Sequence, residues 1–267
     1  MPPLRVFLLG RKRGARLAAE ILLQRGHKLA AVGYPAADDP NSHELVEFAK
    51  RLGVVTVSHY ELETWSVSSA KRSDLGEPDL VISYLYSKKI PLSVIDLPRI
   101  GSFNFHPAPL PDLRGLGGYN FAILEGMREY GVSVHWLSRE IDVGDIVEVR
   151  RFPIDPETET ALTLEHRSQR AMLQLFRDFV EMVEQGRVIP SLPQGKGRYI
   201  NRRQMEEAKR VLPTDPPELV ERKARAFWFP PYRGAFIEIG GVPFTVVTDQ
   251  ILKDIAELTH RESQEAG

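Results

Sequence analysis

The 267-residue sequence contains no cysteine. That removes disulfides, thiolate metal sites and a cysteine nucleophile at once, and it fits a reducing compartment. An excess of charge is also missing: 35 Lys and Arg face 36 Asp and Glu, a formal net charge of -1. No global positive field draws in nucleic acid. Long hydrophobic runs are lacking too. No stretch approaches the ~20 apolar residues of a membrane helix. The apolar part of the N-terminal segment, Val6 to Leu9, is too short for a secretory leader. Repeats and low-complexity tracts are absent. The expectation is a cytoplasmic protein with no membrane and no nucleic-acid partner. Hydrophobic residues at 42% and charged residues at 27% give the balance of a chain that buries a core.

Short apolar runs alternate with helical patterns along the first hundred residues. Leu4 to Leu9 reads as a strand and stops at Gly10. Leu17, Ala18, Ile21 and Leu22 follow at helical spacing, closed by Gly26. Lys28 to Val32 and Val54 to Val57 read as strands around a helix from Glu44 to Leu52. Leu80 to Tyr84 and Ile100 to Phe105 are further strands. This order predicts βαβ units and a parallel sheet. Val132 to Leu137 and Ile146 to Phe152 form two more strands, and Leu162 to Gln185 a long helix with one apolar face. Pro190 to Gly197 marks a boundary. Helices at Arg202 to Val211 and after Pro217 follow, then two strands, Ala235–Ile239 and Pro243–Val247, joined by Gly240-Gly241 in a hairpin turn. After Thr259 the tail is polar and is expected to fray. The predicted fold is α/β: a Rossmann-like, mostly parallel sheet flanked by helices over residues 1–189, and a small α+β appendage ending in a hairpin over 190–267.

Chemistry concentrates between Gly101 and Ile146. Asn104 and His106 are two apart on a strand and share a face, near the carboxyl end where open α/β sheets bind ligands. Pro107, Pro109 and Pro111 force a stiff exit. Asp142 sits in a turn, Asp-Val-Gly-Asp, between two strands. Acyl transfer to an amine requires a neutral amine, a donor for the oxyanion and a route for protons. His106 suits proton transfer. Asn104 can donate to the oxyanion. Asp142 can orient His106, hold it protonated or order a bridging water. No metal is required.

The strings NFHPAPLPDLRG and GVSVHWLSREIDVGDI resemble the folate-dependent formyltransferases, which include enzymes acting on methionyl-tRNA, glycinamide ribonucleotide and nucleotide sugars. The shared pattern is Asn-x-His-Pro-x-x-Leu-Pro, Arg/Lys-Gly, Gly-Val-x-x-His and Asp-x-Gly, and it covers roughly residues 4 to 185. The resemblance implies that Asn104, His106 and Asp142 are the catalytic trio and that 10-formyltetrahydrofolate is the donor. It also implies that the pterin lies against the backbone of Lys88, Lys89 and Ile90 and of Ser138, Arg139 and Glu140.

For the acceptor, Gly10, Arg11, Lys12 and Arg13 open a helix, where backbone N–H groups and cations favour phosphate; the same loop also reads as a basic, solvated turn. It is no GxGxxG dinucleotide fingerprint. Arg114 beside the site strand is a candidate for acceptor contact or for a surface ion pair. The segment RAFWFPPYRGAFIEIGG resembles the start of the C-terminal barrel in the tRNA and sugar enzymes, here truncated to a hairpin, and RYINRRQMEEAKRV resembles the sugar enzymes. About 75 residues follow Pro190, short for an RNA-binding domain. The expected acceptor is therefore a nucleotide-linked 4-amino-4,6-dideoxy sugar, GDP- or dTDP-linked, made for a lipopolysaccharide O-antigen. Methionyl-tRNA and a non-catalytic nucleotide-sugar or folate-binding role are the alternatives. Trp228, Phe229 and Tyr232 stack on a base, pack the C-terminal part or meet a second copy in a homodimer. Tyr84 and Tyr86 flank the folate loop or finish the sheet core.

Overall fold

In the computed structural model, residues 2–64, 76–253 and 255–256 are described. The first strand, β1 (Arg5–Gly10), is buried from Val6 onward. It feeds α1 (Lys12–Gln24), which buries Gly14, Ala15, Ala18, Ala19, Ile21 and Leu22. The small residues on that face let the helix lie close to the sheet. Gly26 ends the crossover at φ 83°, a left-handed value that favours glycine. Strand β2 (Lys28–Tyr34), helix α2 (His43–Arg51), strand β3 (Thr56–Ser58) and helix α3 (His59–Thr64) follow. The chain then returns for β4 (Leu80–Tyr84), α4 (Leu92–Ile95) and β5 (Gly101–His106). Beyond these come β6 (Leu113–Gly115), α5 (Gly118–Leu124), β7 (Glu129–Trp136), β8 (Ile146–Pro153) and the long α6 (Ala161–Glu184). Then come β9 (Arg198–Ile200), α7 (Arg202–Lys209), α8 (Pro217–Ala226), β10 (Phe236–Ile239) and β11 (Val242–Thr245).

Seven strands form one sheet in the order β3-β2-β1-β4-β5-β7-β8. The pairs from β3 through β5 are parallel, and β7 runs antiparallel to β5. The fold is Rossmann-like and mostly parallel, as the alternating pattern predicts. Strand order reverses between β1 and β4, so the crevice beyond Gly10 and Tyr84, which are register partners, is the topological switch point. Predicted strands and helices fall within a few residues of the observed ones. The short pieces α3, α4, α5, β6 and β9 escape sequence reading because none spans enough residues to show a period.

The period of two in β5 separates core from site. Phe103 and Phe105 turn to one face and pack on Phe179 and Phe176 of α6, with ring centroids 4.8 and 5.1 Å apart. Tyr84 joins them, 5.8 Å from Phe105 and fully buried, so it finishes the core. Asn104 and His106 therefore turn to the opposite face. On that other face a second apolar cluster includes Phe7, Leu9, Val81, Ile90 and Val94.

The chain divides into two compact units that interleave: residues 1–114, 131–151 and 168–198 in one, and 115–130, 152–167 and 199–267 in the other. The 1–189/190–267 division read from composition is a single cut, whereas each compact unit draws on three stretches of the chain. In the second unit, Asn120 of α5 donates to the Ala226 carbonyl at the end of α8. Arg225 is buried and donates to the Pro156 carbonyl. A capping box of Asn201 and Gln204 starts α7. Strands β10 and β11 pair antiparallel with Ile239 opposite Val242, leaving Gly240-Gly241 as a two-residue loop. Both glycines have positive φ, 58° and 80°, as a type I′ turn requires. The Phe229 and Tyr232 rings lie 5.7 Å apart at a tilt of 35°, and the Trp228 carbonyl accepts from Leu162 N–H. The polar tail predicted after Thr259 lies outside the described residues.

Candidate functional site

Three side chains read from the sequence converge in the first unit. Asn104 lies inside β5 and His106 ends it, with Asn104 opposite His135 and His106 opposite Ser133 of β7. The proline-rich exit is held from β7: Ser133 Oγ donates to the Ala108 carbonyl at 2.8 Å and accepts from Leu110 N–H at 2.9 Å. Asp142 reaches in from the turn between β7 and β8. Its Oδ1 is 3.4 Å from Asn104 Nδ2 and 3.6 Å from His106 Nδ1. His106 and Asp142 are both buried, at 6% and 8% exposure. Water then competes weakly, and the pair interacts more strongly than it would at the surface.

The hydrogen-bond pattern fixes the tautomers. A carbonyl only accepts, so His106 Nε2, 3.0 Å from the Leu113 carbonyl, carries its hydrogen. That leaves Nδ1 facing Asp142. His135 Nδ1 lies 2.8 Å from the Trp136 carbonyl and is likewise the protonated nitrogen. His135 Nε2 then accepts from Asn104 Nδ2 at 3.0 Å. Asn104 thus aims its NH2 at His135 and Asp142, and a flipped amide would set its oxygen against a lone pair and a carboxylate. His135, 1% exposed, is a member of the site that residue-by-residue reasoning passed over. Its signal was present in the Gly-Val-x-x-His string, where it directly faces Asn104 once β5 and β7 pair.

The turn that presents Asp142 is shaped by its backbone. Asp142 has φ 57°, left-handed for a non-glycine residue, a conformation that costs on the order of 1 kcal/mol and that Asp tolerates better than most. Gly144, two residues on, has no room for a side chain: a Cβ there would collide with the Trp136 carbonyl. Among the described residues, Lys12 and Leu85 are the other non-glycine residues with positive φ, at 63° and 57°. They follow β1 and β4, so local strain gathers around the switch point and the Asp142 turn.

Lys89, Ile90 and Arg139 line one cavity of about 430 Å³ together with Glu63, Pro91 and Leu92. Two separate sequence stretches, 88–90 and 138–140, thereby meet. Lys88, Ser138 and Glu140 are not among its walls, and Ser138 Oγ donates to the Glu140 carbonyl. Behind Glu63 a polar chain runs inward: His59 Nε2 is 3.3 Å from Glu63, and His59 Nδ1 is 3.1 Å from the Tyr86 hydroxyl. Burial pushes the Tyr86 phenol well above its ordinary value, so it stays neutral.

The basic loop sits at the switch point. Gly10 ends β1 and is packed so tightly against Ala15 that a Cβ would clash. Arg11 is the N-cap of α1, with no side-chain cap on that helix. Its guanidinium pairs with Asp39 at 3.3 Å. Burial works to raise the Asp39 carboxyl, but donors from Asn41 and the Arg11 charge outweigh it and hold the carboxyl below its ordinary range. Lys12 and Arg13 begin the helix. Arg114 points another way, donating through Nε and Nη2 to Gln194 Oε1 at 3.0 and 2.8 Å. Among the described residues no group of three or more His, Asp or Glu side chains is placed to hold a metal ion, and no helix is long and apolar enough to cross a membrane.

Known proteins share this fold. The solved 4-N formyltransferase of Francisella tularensis superposes with a TM-score of 0.73 over 92% of this chain and 97% of its own, at 16% identity. A sugar N-formyltransferase of Shewanella sp FDAARGOS_354 gives 0.74 over the same shares at 18% identity. The N-formyltransferase of Helicobacter canadensis, solved with folinic acid and dTDP-3-aminofucose, gives 0.70 over 90% and 86% at 18% identity. At these identities the likeness shows the fold. The sequence itself matches the family model for formyl transferases over residues 23–180, more than half of the chain, a span that holds Asn104, His106, His135 and Asp142. The chain belongs to the formyl transferase family.

Proposed function

We propose that the protein moves the formyl group of 10-formyltetrahydrofolate onto the amino group of a nucleotide-linked 4-amino-4,6-dideoxy sugar. The observation that carries this reading is the convergence of Asn104, His106 and Asp142, with Oδ1 of the aspartate within 3.6 Å of both partners. In this reading the amine attacks the formyl carbon. The His106 Nδ1 edge receives the amine proton, and Asp142 stabilises the charge that the ring acquires. Nε2 stays bound to the Leu113 carbonyl and keeps the ring fixed. As negative charge grows on the formyl oxygen, Asn104 exchanges its longer bond to Asp142 for the oxyanion while His135 holds its other hydrogen. The proton then passes to the folate nitrogen as the carbon–nitrogen bond to the donor breaks.

The folate is assigned to the cavity of Lys89, Ile90 and Arg139, whose two cations suit its glutamate carboxylates and whose Ile90, Pro91 and Leu92 suit its rings. Gly10, Arg11, Lys12 and Arg13 are assigned to the acceptor's phosphates. The bound dTDP sugar of the Helicobacter canadensis protein favours a dTDP-linked acceptor, with GDP as the second candidate. O-antigen assembly, a cytoplasmic location and a homodimer complete the proposal. The test is turnover: release of tetrahydrofolate with dTDP- and GDP-linked 4-amino sugars, and with methionyl-tRNA in parallel. A dTDP-sugar rate well above the others is expected. No turnover with either sugar panel removes the reading, and turnover with the tRNA alone replaces it.

A further inference from the structure

The stretch from Pro190 to Gly197 has the composition of a linker, yet it is stitched to the site at both ends. Trp136 Nε1 donates to the Pro190 carbonyl at 2.8 Å. Ser191 Oγ donates to Asp145 at 2.6 Å, and Leu192 and Ile146 exchange two backbone bonds of 3.0 and 2.8 Å. At the far end Gly197 presses on the Pro111 carbonyl, where a Cβ would collide. Residues 191–198 are exposed with one exception, Gln194, which turns inward.

Gln194 uses both ends of its amide. Nε2 donates to the Gly144 carbonyl at 2.6 Å, two residues after Asp142. Oε1 accepts both prongs of Arg114, and Arg114 Nη2 also donates to the Gly195 carbonyl at 2.9 Å. Arg114 adjoins Leu113, whose carbonyl holds His106 Nε2. One chain of bonds therefore runs from His106 through Leu113, Arg114, Gln194 and Gly144 to Asp142. The left-handed backbone at Asp142 stores strain, and such a conformation persists where its surroundings over-determine it.

Resting on the formyl-transfer reading above, we infer that Gln194 is a positioning residue. It sets the separation of His106 and Asp142 by tying the loop after the histidine to the turn that carries the aspartate. It touches no substrate. Arg114 serves as the anchor of this brace.

The test compares Gln194→Ala, Gln194→Glu and, on the exposed side of the same stretch, Lys196→Ala. Gln194→Glu keeps an acceptor for Arg114 but faces the Gly144 carbonyl with a carboxylate. Misplacing a reacting pair by a fraction of an ångström costs rate, not binding, so kcat falls about tenfold in both Gln194 variants while each KM stays within about twofold. Lys196→Ala keeps the wild-type kcat. Independently of activity, amide exchange in the segment 137–146 of the ligand-free protein is faster in Gln194→Ala than in wild type, with β1 unchanged. Unchanged kcat in folded Gln194→Ala, a raised KM with kcat retained, or an equal loss in Lys196→Ala overturns the inference. A wild-type protein that transfers no formyl group defeats the functional reading instead, and the exchange comparison then decides the brace by itself.

Discussion

His135 Nε2 accepts from Asn104 Nδ2 at 3.0 Å across the antiparallel pair of β5 and β7. The histidine decides which end of the asparagine amide faces inward, because its other nitrogen is committed to the Trp136 carbonyl. Replacing it with Phe keeps an aromatic ring and removes the acceptor. His135→Phe is expected to lower kcat by roughly tenfold with little change in either KM, while Asn104→Ala lowers it by about 10²-fold or more, the range for loss of an oxyanion donor. Steady-state kinetics of both variants checks this. Equal activity of Asn104→Ala and wild type removes Asn104 from the mechanism.

Backbone and carboxylate are separable at Asp142. Glycine accepts φ 57° without penalty, so Asp142→Gly keeps or slightly raises the melting temperature while abolishing turnover. Asp142→Ala loses turnover and also roughly 1 kcal/mol of stability, since alanine is strained there. Thermal unfolding paired with the assay separates the two effects. A stable and active Asp142→Gly protein contradicts the assigned role.

Gly144 tests the turn from behind. An added Cβ meets the Trp136 backbone, which has no flexible end to swing away. Gly144→Ala is expected to cost about 1–3 kcal/mol and to displace Asp142. Denaturant midpoints and turnover should fall together.

Acid sensitivity has an identifiable contributor far from the site. Hydrogen bonding from Arg25 holds the Glu184 carboxyl below its ordinary 4.5. A carboxyl with a lowered folded value contributes stability at pH above its unfolded value and loses it as pH falls through the folded one. His27 sits against the same carboxylate at 2.9 Å, with its Nδ1 accepting from Leu4 N–H. Wild type should therefore lose stability below about pH 4.5 more steeply than Glu184→Gln. Melting temperatures from pH 7 to pH 3 measure this, and parallel curves for the two proteins exclude the contribution.

Much of the sheet was legible because its period is strong. Leu80–Tyr84 is buried at every position, and apart from Ser83 it reads as an apolar run. Gly240-Gly241 announced a turn that only positive φ at two successive residues explains. The pairing of Asn104 with His106 followed from alternation alone. What stayed hidden depends on contacts between distant segments. His135 acquires its place only when β7 pairs with β5. Arg114 reads as a cation near the site, but its partner Gln194 lies 80 residues on. The inward turn of Gln194 leaves no mark on a proline- and glycine-rich composition. The short helix α5 is too brief for periodicity to declare it.

The interleaving of the two units has a consequence for synthesis on the ribosome. The chain passes between them five times, at residues 114/115, 130/131, 151/152, 167/168 and 198/199. Segments 115–130 and 152–167 emerge before the residues that complete their unit, including Ala226, whose carbonyl receives Asn120. Until then the Asn120 amide lacks the carbonyl that receives it in the finished fold, and α5 lacks the helix that supplies it. A fragment cut at residue 189 would lack that partner permanently. Nascent chains stalled near that length should bind chaperones more than the finished protein does.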